Sequence, residues 1–229
     1  MGWIRNVRSD WERFGAAKAC ARVTYKLANR VGRVDLLRLM ELREEDIRIP
    51  DQTGPPLTER FVLPEEMPAL CDQFGPRLPR RFVDLAIAKG DDCFALFDGA
   101  TCASFGWYSR QPTIIRGNLL FRFDPAFLYM YHGYTSPPYR GRRLHAIGIG
   151  RRARLAFENR DARSILSIVE KMNYSTHRSA QRLGFRFTGS MWRVGAGPFS
   201  TCGTSAACRQ YGISIEEVRD PFAMPEERS

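Results

Sequence analysis

The sequence lacks the patterns that mark metal-binding, secreted and membrane-spanning proteins. It contains six cysteines, but no C-x-x-C pair and no Cys/His cluster with zinc spacing, so we expect no structural metal site. The first residues carry no apolar signal segment, and no apolar run approaches the roughly 18 residues that cross a bilayer. We therefore expect a cytoplasmic protein that is soluble or, at most, attached to a membrane surface. A disulfide would suit only Cys202 and Cys208, and a reducing compartment is the favoured interpretation.

Acidic residues are too few to balance the basic ones. The chain has 35 Lys and Arg against 25 Asp and Glu, which gives a formal net charge of +10. Such a surface attracts nucleic acid, anionic lipid or phosphorylated small molecules, and charge alone does not choose among them. Nucleic acid is the least favoured of the three, because no recognisable nucleic-acid-binding motif accompanies the charge.

The 229 residues suffice for one domain with extensions. Residues 1–45 are basic and carry apolar residues at helical spacing, beginning with Trp3, Val7 and Trp11. This segment is either a helical extension packed on the main domain or an amphipathic helix on an anionic membrane. We expect a basic helical extension over 1–50, the main domain over 51–200 and a C-terminal tail over 201–229.

The rest of the sequence alternates between strand and helix patterns. Asp98-Gly99 between two apolar runs predicts a hairpin, and apolar runs predict strands over 127–135, 164–169 and 186–194. One helix is predicted from Leu144 to Glu158, and another between Asn173 as its N-cap and Gly184 as its stop. The predicted fold class is α/β (α+β), with a mixed central sheet of about six or seven strands flanked by helices.

Two motifs in this region resemble those of the GCN5-related N-acetyltransferase (GNAT) superfamily. The first, "TSPPYRGRRLHA", follows a strand and opens a helix, where the family has a pattern close to V-x-P-x-Y-R-G-x-G-x-G. The residues that match it are Thr135, Pro137, Tyr139, Arg140 and Gly141. The second motif, Asn at a helix start and Gly-Phe at its end, is matched by Asn173, Gly184 and Phe185. The resemblance covers residues 57–195 and implies a GNAT-like fold that transfers an acyl group from acyl-CoA.

The resemblance also implies where acyl-CoA binds. Main-chain N–H groups at a helix start suit the CoA pyrophosphate, and arginine side chains add positive charge. The strand before the turn would diverge from a parallel neighbour, hold the pantetheine arm and polarise the thioester carbonyl. The expected cofactor-binding residues are Gly133, Tyr134, Thr135, Arg140, Gly141, Arg142, Arg143, Leu144, His145 and Asn173. The alternative for the arginines is a solvated basic helix face.

The chain departs from the family pattern in two ways. The last two glycines of the turn are Arg143 and His145 here, and a side chain at either position can loosen the fit to phosphate. Many family members also have a tyrosine seven residues after the motif Asn, which protonates the leaving thiolate. That position is Ala180 in this chain, so Ser175, Tyr174 or His177 would have to substitute, or the role goes unfilled.

Transfer to an amine requires a base. His132 is the first candidate because an imidazole has a pKa near neutrality, and the alternative for His132 is a packed ring between tyrosines. Tyr134 is expected on the same strand face as His132, and Glu170 follows a strand that the resemblance places beside the cleft.

We expect an acyl-CoA-dependent N-acyltransferase that acts by direct transfer in a ternary complex, with acetyl-CoA or a longer acyl-CoA as co-substrate, no metal, and a small-molecule amine as acceptor. Two alternatives stay open. The first is an enzyme similar to long-chain N-acyl amino acid synthases, with an acyl carrier protein as donor at a membrane surface. The second is a non-catalytic GNAT-like binding module.

Overall fold

A computed structural model describes residues 15–31, 33–195 and 199–219 of the chain. The α-helices in these ranges are α1 (Ala16–Val31), α2 (Met67–Phe74), α3 (Arg80–Ala88), α4 (Leu144–Glu158) and α5 (Tyr174–Leu183). The strands are β1 (Val34–Leu42), β2 (Thr58–Phe61), β3 (Asp92–Asp98), β4 (Thr101–Ser109), β5 (Thr113–Arg116), β6 (Leu119–Arg122), β7 (Leu128–Thr135), β8 (Ile165–Glu170), β9 (Arg186–Val194), β10 (Thr201–Thr204) and β11 (Ser214–Glu217).

The strands form two sheets. The main sheet has eight strands in the order β10-β9-β1-β8-β7-β4-β3-β2, so it is larger than the six or seven strands expected. Its pairs are antiparallel except β7 with β8, which are parallel. The predicted mixed sheet flanked by helices is therefore confirmed. A second sheet of three strands, β11-β6-β5, was not predicted.

The helical prediction for residues 1–45 is wrong over Val34–Leu42, which form strand β1 in the middle of the main sheet between β9 and β8. Leu37 and Leu39 pack towards the second sheet, whereas Met40 and Leu42 pack under α4. The bulge in the pairing with β9 lies in β9, where Thr188 is the extra residue, so β1 itself keeps its alternation. Because both faces of β1 are buried, its sequence lacks the period of two that marks a half-exposed strand.

The main sheet crosses both of the expected boundaries at residues 50 and 200, because β1 precedes the first and β10 follows the second. The tail expected over 201–229 also supplies β11 to the second sheet. Residues 1–14, which include Trp3, Val7 and Trp11, lie outside the described part of the chain, as do residues 220–229. Among the described helices, none is both long enough and apolar enough to span a bilayer.

Three layers cover the main sheet. Helices α4 and α5 pack on one face, where Ala153 and Leu183 meet residues of β1, β3, β7 and β8. Helices α2 and α3 cover the other face over β3 and β4, where Trp107 is fully buried. The second sheet covers that face beside β1 and β8, through Phe121 and Ile215. Cys93 and Cys102 are buried core residues as expected, and all six cysteines are free.

Candidate acyl-transfer site

The parallel strands β7 and β8 separate in the middle of the main sheet. Their pairing begins at Leu128 with Ile165 and ends at Met130 with Ser167. Both strands then continue, β7 to Thr135 and β8 to Glu170, without pairing to each other. The parallel divergence expected for these two strands is therefore present, and it opens a gap through the sheet.

A bulge in β7 lies where the strands separate. Phe105 of β4 pairs with Tyr134, and Trp107 pairs with Tyr131, so two residues of β7 stand opposite Gly106 alone. His132 in this bulge has a φ of +45°, which is rare for a residue with a side chain. A bulge of this kind redirects the backbone and side chains of a strand, here towards the gap.

The gap forms a cleft of about 450 Å³ beneath α4 and α5. Its floor is mostly apolar, with Met40, Met130, Ile149, Val169 and Phe185 in the lining. Gly133, Tyr134, Thr135, Arg140 and His145 from the expected cofactor-binding set line its entrance. Ser167 of β8 and three hydroxyl residues of α5 also line it, so the cleft is a largely apolar slot bordered by polar groups.

A second cavity of about 420 Å³ surrounds the beginning of α4. The first intrahelical bond runs from Ile147 N to Arg143 O, so the N–H groups of Leu144, His145 and Ala146 have no partner within the helix. No side chain caps them, and these three residues line the cavity. A helix start with open N–H groups attracts an anion.

Three guanidinium groups add to the positive potential of this cavity, those of Arg140, Arg143 and Arg182. Among the described residues that line it there is no carboxylate. Arg143 and Arg182 form no ion pair with residues in the described ranges. Since no acidic side chain in the described part of the chain neutralises the charge, the cavity has chemistry that suits a phosphate.

The two cavities form one continuous groove, because they share Thr135, Arg140 and His145, together with Ala146, Ser179 and Leu183. Arg140 also connects the turn to the end of β7, since its Nη2 donates to the Tyr134 hydroxyl at 3.2 Å and its Nε lies 3.4 Å from Thr135 O. The Thr135 hydroxyl is 2.9 Å from the hydroxyl of Ser104 on β4. The turn and the strand are thereby held together at the groove.

Two expected cofactor-binding residues direct their side chains elsewhere. Arg142 donates from Nε to Thr53 O at 2.9 Å and from Nη2 to Pro55 O at 3.0 Å, so its side chain is bound to the loop before β2. Asn173 accepts the N–H of Thr176 at 3.3 Å as the N-cap of α5. The N-cap prediction is confirmed, but neither side chain lines the groove.

The four candidate catalytic residues are not gathered at one point. Tyr134 and Ser175 line the cleft, and the Ser175 hydroxyl donates to Asn173 Oδ1 at 3.0 Å. Glu170 does not line it, because its carboxylate faces the second sheet, where Arg116 Nη1 is 3.4 Å away. Ala180 lines the cleft, so no hydroxyl occupies that position.

His132 stands on the α3 side of β7. Its ring packs against Phe82 with centroids 4.4 Å apart, and Nε2 lies 2.9 Å from Arg77 O. Burial against these rings lowers the pKa of His132 from its ordinary value, and the hydrogen bond to Arg77 opposes the shift. The imidazole is therefore neutral at pH 7, with Nδ1 as the nitrogen that can accept a proton when Nε2 donates to Arg77.

Several groove residues were missed by the sequence analysis. Arg182 and Ser179 come from α5, and Pro50 comes from the loop after β1. Nothing in their local sequence marks them, because only the packing of α5 beside α4 brings them to the groove. Within the described ranges no group of three or more His, Cys, Asp and Glu is placed to hold a metal ion.

Neither a protein-family model nor a curated protein matches the sequence. Solved structures similar to the chain include a GCN5-related N-acetyltransferase from Kribbella flavida, 14% identical, covering 77% of this chain and 65% of that one at a TM-score of 0.48. A GNAT-family acetyltransferase from Colwellia psychrerythraea is 8% identical, and its alignment covers 75% of this chain and 59% of that protein at a TM-score of 0.49. A Drosophila protein is 14% identical, and its alignment covers 78% of this chain and 57% of that protein at a TM-score of 0.51.

The chain spans less than two thirds of the length of each of these structures. At such identities the similarity is one of fold alone.

Proposed function

We propose that this chain, whose fold is similar to that of GNAT-family proteins, is an acyl-CoA-dependent N-acyltransferase. The observation that carries the proposal is the continuous groove, which joins a basic cavity at a helix start to a slot between two diverging parallel strands. A CoA thioester has the matching chemistry, with phosphates at one end and an acyl thioester at the other. The uncapped start of α4 and the three arginines fit the phosphates, and the apolar slot fits the acyl end.

The proposed reaction is direct transfer in a ternary complex. The acceptor amine attacks the thioester carbonyl carbon, the C–S bond breaks, and its electron pair leaves on sulfur. His132 lines neither cavity, so it can take the amine proton on Nδ1 from an acceptor that enters the gap from the α3 side of β7. Its lowered pKa keeps it unprotonated at neutral pH. A thiol has a pKa of about 8.5, so the leaving thiolate can take its proton from water. The reaction therefore requires no acidic side chain at position 180.

The apolar floor of the cleft supports donors with acyl chains longer than acetyl. Five residues supply it, namely Met40, Met130, Ile149, Val169 and Phe185. Each buried methylene of an acyl chain contributes about 0.8 kcal/mol, so a longer chain that fits this floor binds more tightly than acetyl. An acyl carrier protein is a second candidate donor, because an acidic partner complements the net charge of +10.

Calorimetric titration tests the phosphate site. Acetyl-CoA and palmitoyl-CoA are titrated into the wild type, the double variant Arg143→Ala/Arg182→Ala, and the control Arg154→Ala, which removes an exposed charge of α4 outside the groove. Charge-assisted hydrogen bonds contribute about 1.5–3 kcal/mol each, so we expect at least tenfold weaker binding in the double variant and wild-type affinity in the control.

Equal losses in the double variant and in Arg154→Ala would indicate attraction by net charge and contradict a phosphate site. No binding of either thioester to the wild type would reject the acyl-CoA proposal. Release of free thiol with a mixture of small amines then separates an enzyme from a binding module. If the wild type binds a thioester tightly but no amine in the mixture causes release of free thiol, the non-catalytic binding module is favoured.

A further inference from the structure

His145 occupies the junction of the groove, in the first turn of α4. It lines both the cavity around the helix start and the cleft between β7 and β8. The GNAT pattern has glycine at this position, so an imidazole here is a feature of this chain. Any molecule that extends from one cavity to the other passes this side chain.

The imidazole lies directly against the backbone of β7. A Cβ atom at Gly133 would stand 2.8 Å from His145 Nδ1 and nearer still to Cε1, and also 2.9 Å from Met130 Cε. A side chain at position 133 would therefore overlap the ring, which explains the glycine in the bulge of β7. This contact holds the ring at the entrance of the cleft.

The ring nitrogens of His145 have no hydrogen-bond partner among the described residues, whereas Nε2 of His132 and Nε2 of His177 each contact a main-chain carbonyl. Burial lowers the pKa of His145 to about 4, so the ring is neutral at pH 7 and has one N–H donor and one nitrogen acceptor. The His145 side chain is half-buried, so its ring nitrogens are open to a ligand in the groove, and a ligand that forms a hydrogen bond to them gains affinity.

We propose that His145 forms a hydrogen bond with the pantetheine arm of the donor, at the point where the arm leaves the phosphate cavity and enters the cleft. The inference rests on the proposed function and deepens it by assigning a residue that recognises the arm. The arm carries two amide groups, each with a carbonyl acceptor and an N–H donor, and a neutral imidazole complements either one. His145 then distinguishes a pantetheine thioester from a nucleotide that has only the phosphates.

The test compares two ligands that share the phosphates. Coenzyme A and adenosine 3′-phosphate 5′-diphosphate, which carries all three phosphates of coenzyme A but lacks the arm, are titrated by calorimetry into the wild type, His145→Ala and His145→Gln. His177→Gln is the matched control, because His177 is a buried histidine outside the groove. Thermal unfolding establishes whether each variant is folded. If His145→Ala is unstable, His145→Gln still tests the role, because glutamine keeps hydrogen-bonding groups of similar reach.

We expect His145→Ala to bind coenzyme A about tenfold more weakly and the armless nucleotide within about twofold of wild type, as loss of one hydrogen bond to a ligand predicts. His145→Gln should recover part of the affinity for coenzyme A, and His177→Gln should match the wild type for both ligands. Equal loss for both ligands, or no loss for coenzyme A, would overturn the role of His145 while leaving the proposed function intact. Failure of the wild type to bind coenzyme A would overturn both.

Discussion

Arg143 adopts a left-handed backbone conformation at the start of α4, with a φ of +59°. Residues with a Cβ are disfavoured there by about 1–2 kcal/mol, and the GNAT pattern has glycine at this position. The structure thus explains how an arginine replaces the glycine, because the backbone keeps the conformation and Arg143 lines the cavity around the helix start. We infer that local strain is tolerated here in exchange for positive charge at the cavity.

Arg143→Gly should raise the free energy of unfolding by about 1 kcal/mol, because it removes the left-handed strain. The same change should weaken binding of coenzyme A, because the guanidinium is lost. Urea unfolding measures the first effect and calorimetry the second. Gly141→Ala is the control with the opposite sign. Gly141 has a φ of +84° and no atom near its Cβ position, so the added methyl group strains the backbone without a clash. The variant should have a free energy of unfolding about 1 kcal/mol lower than the wild type. A lower free energy of unfolding for Arg143→Gly than for the wild type would contradict the inferred backbone strain at Arg143.

At the scale of elements, a buried charged network joins the second sheet to the main sheet. Arg193 of β9 is fully buried and donates to Asp35 of β1, to Asn118 Oδ1 at 3.0 Å and to Glu217 Oε1 of β11 at 2.8 Å. Arg116 of β5 also pairs with Asp35, at 2.6 Å. One guanidinium therefore links strands from both sheets, and we infer that it fixes how the second sheet docks.

Arg193→Met should lower the free energy of unfolding by about 3 kcal/mol or more, because it leaves buried carboxylates without their main partner. Arg122→Met is the control, since Arg122 pairs with Glu216 of the second sheet while both side chains are about half exposed. Exposed pairs contribute less than about 1 kcal/mol. Urea denaturation of both variants measures the difference, and similar small losses would show that the network does not hold the sheets together.

At the scale of the whole molecule, folding lowers the pKa of all three histidines in the chain. Burial is the main cause at His132, His145 and His177, and the charge of Arg38 adds to it at His177. The unfolded chain therefore binds more protons than the folded chain once the pH falls below about 6.5. The stability that the neutral rings contribute is present above that pH and is lost as the pH falls towards their folded values.

The free energy of unfolding should consequently decrease between pH 7.5 and pH 5. His145 accounts for up to about 2 kcal/mol of this decrease, since one pH unit corresponds to about 1.4 kcal/mol for a group that titrates only when unfolded. Urea unfolding at both pH values measures the decrease in the wild type and in His145→Gln. The variant should lose less stability than the wild type, and an equal loss would show that His145 titrates normally in the folded chain.

Local signals in the sequence determined much of the architecture. The hairpin at Asp98-Gly99, the bounds of α4, the Asn173 cap and the Gly184 stop were all predicted, because each depends on backbone preferences within a few residues. The prediction of an anion site at the turn before α4 rests on similar grounds, since an open helix start favours negative charge wherever it occurs. These features require no knowledge of distant neighbours.

Tertiary structure decided the rest. β1 has a composition that suits a helix or a buried strand, and only its position between β8 and β9 selects the strand. Strands β5, β6 and β11 have four residues each, too few for a periodic signal, and they form through pairing with one another. Which arginines face the groove, and the contact of His145 with Gly133, depend on residues far apart in the sequence. Side-chain direction is set by packing between elements, which no local pattern encodes.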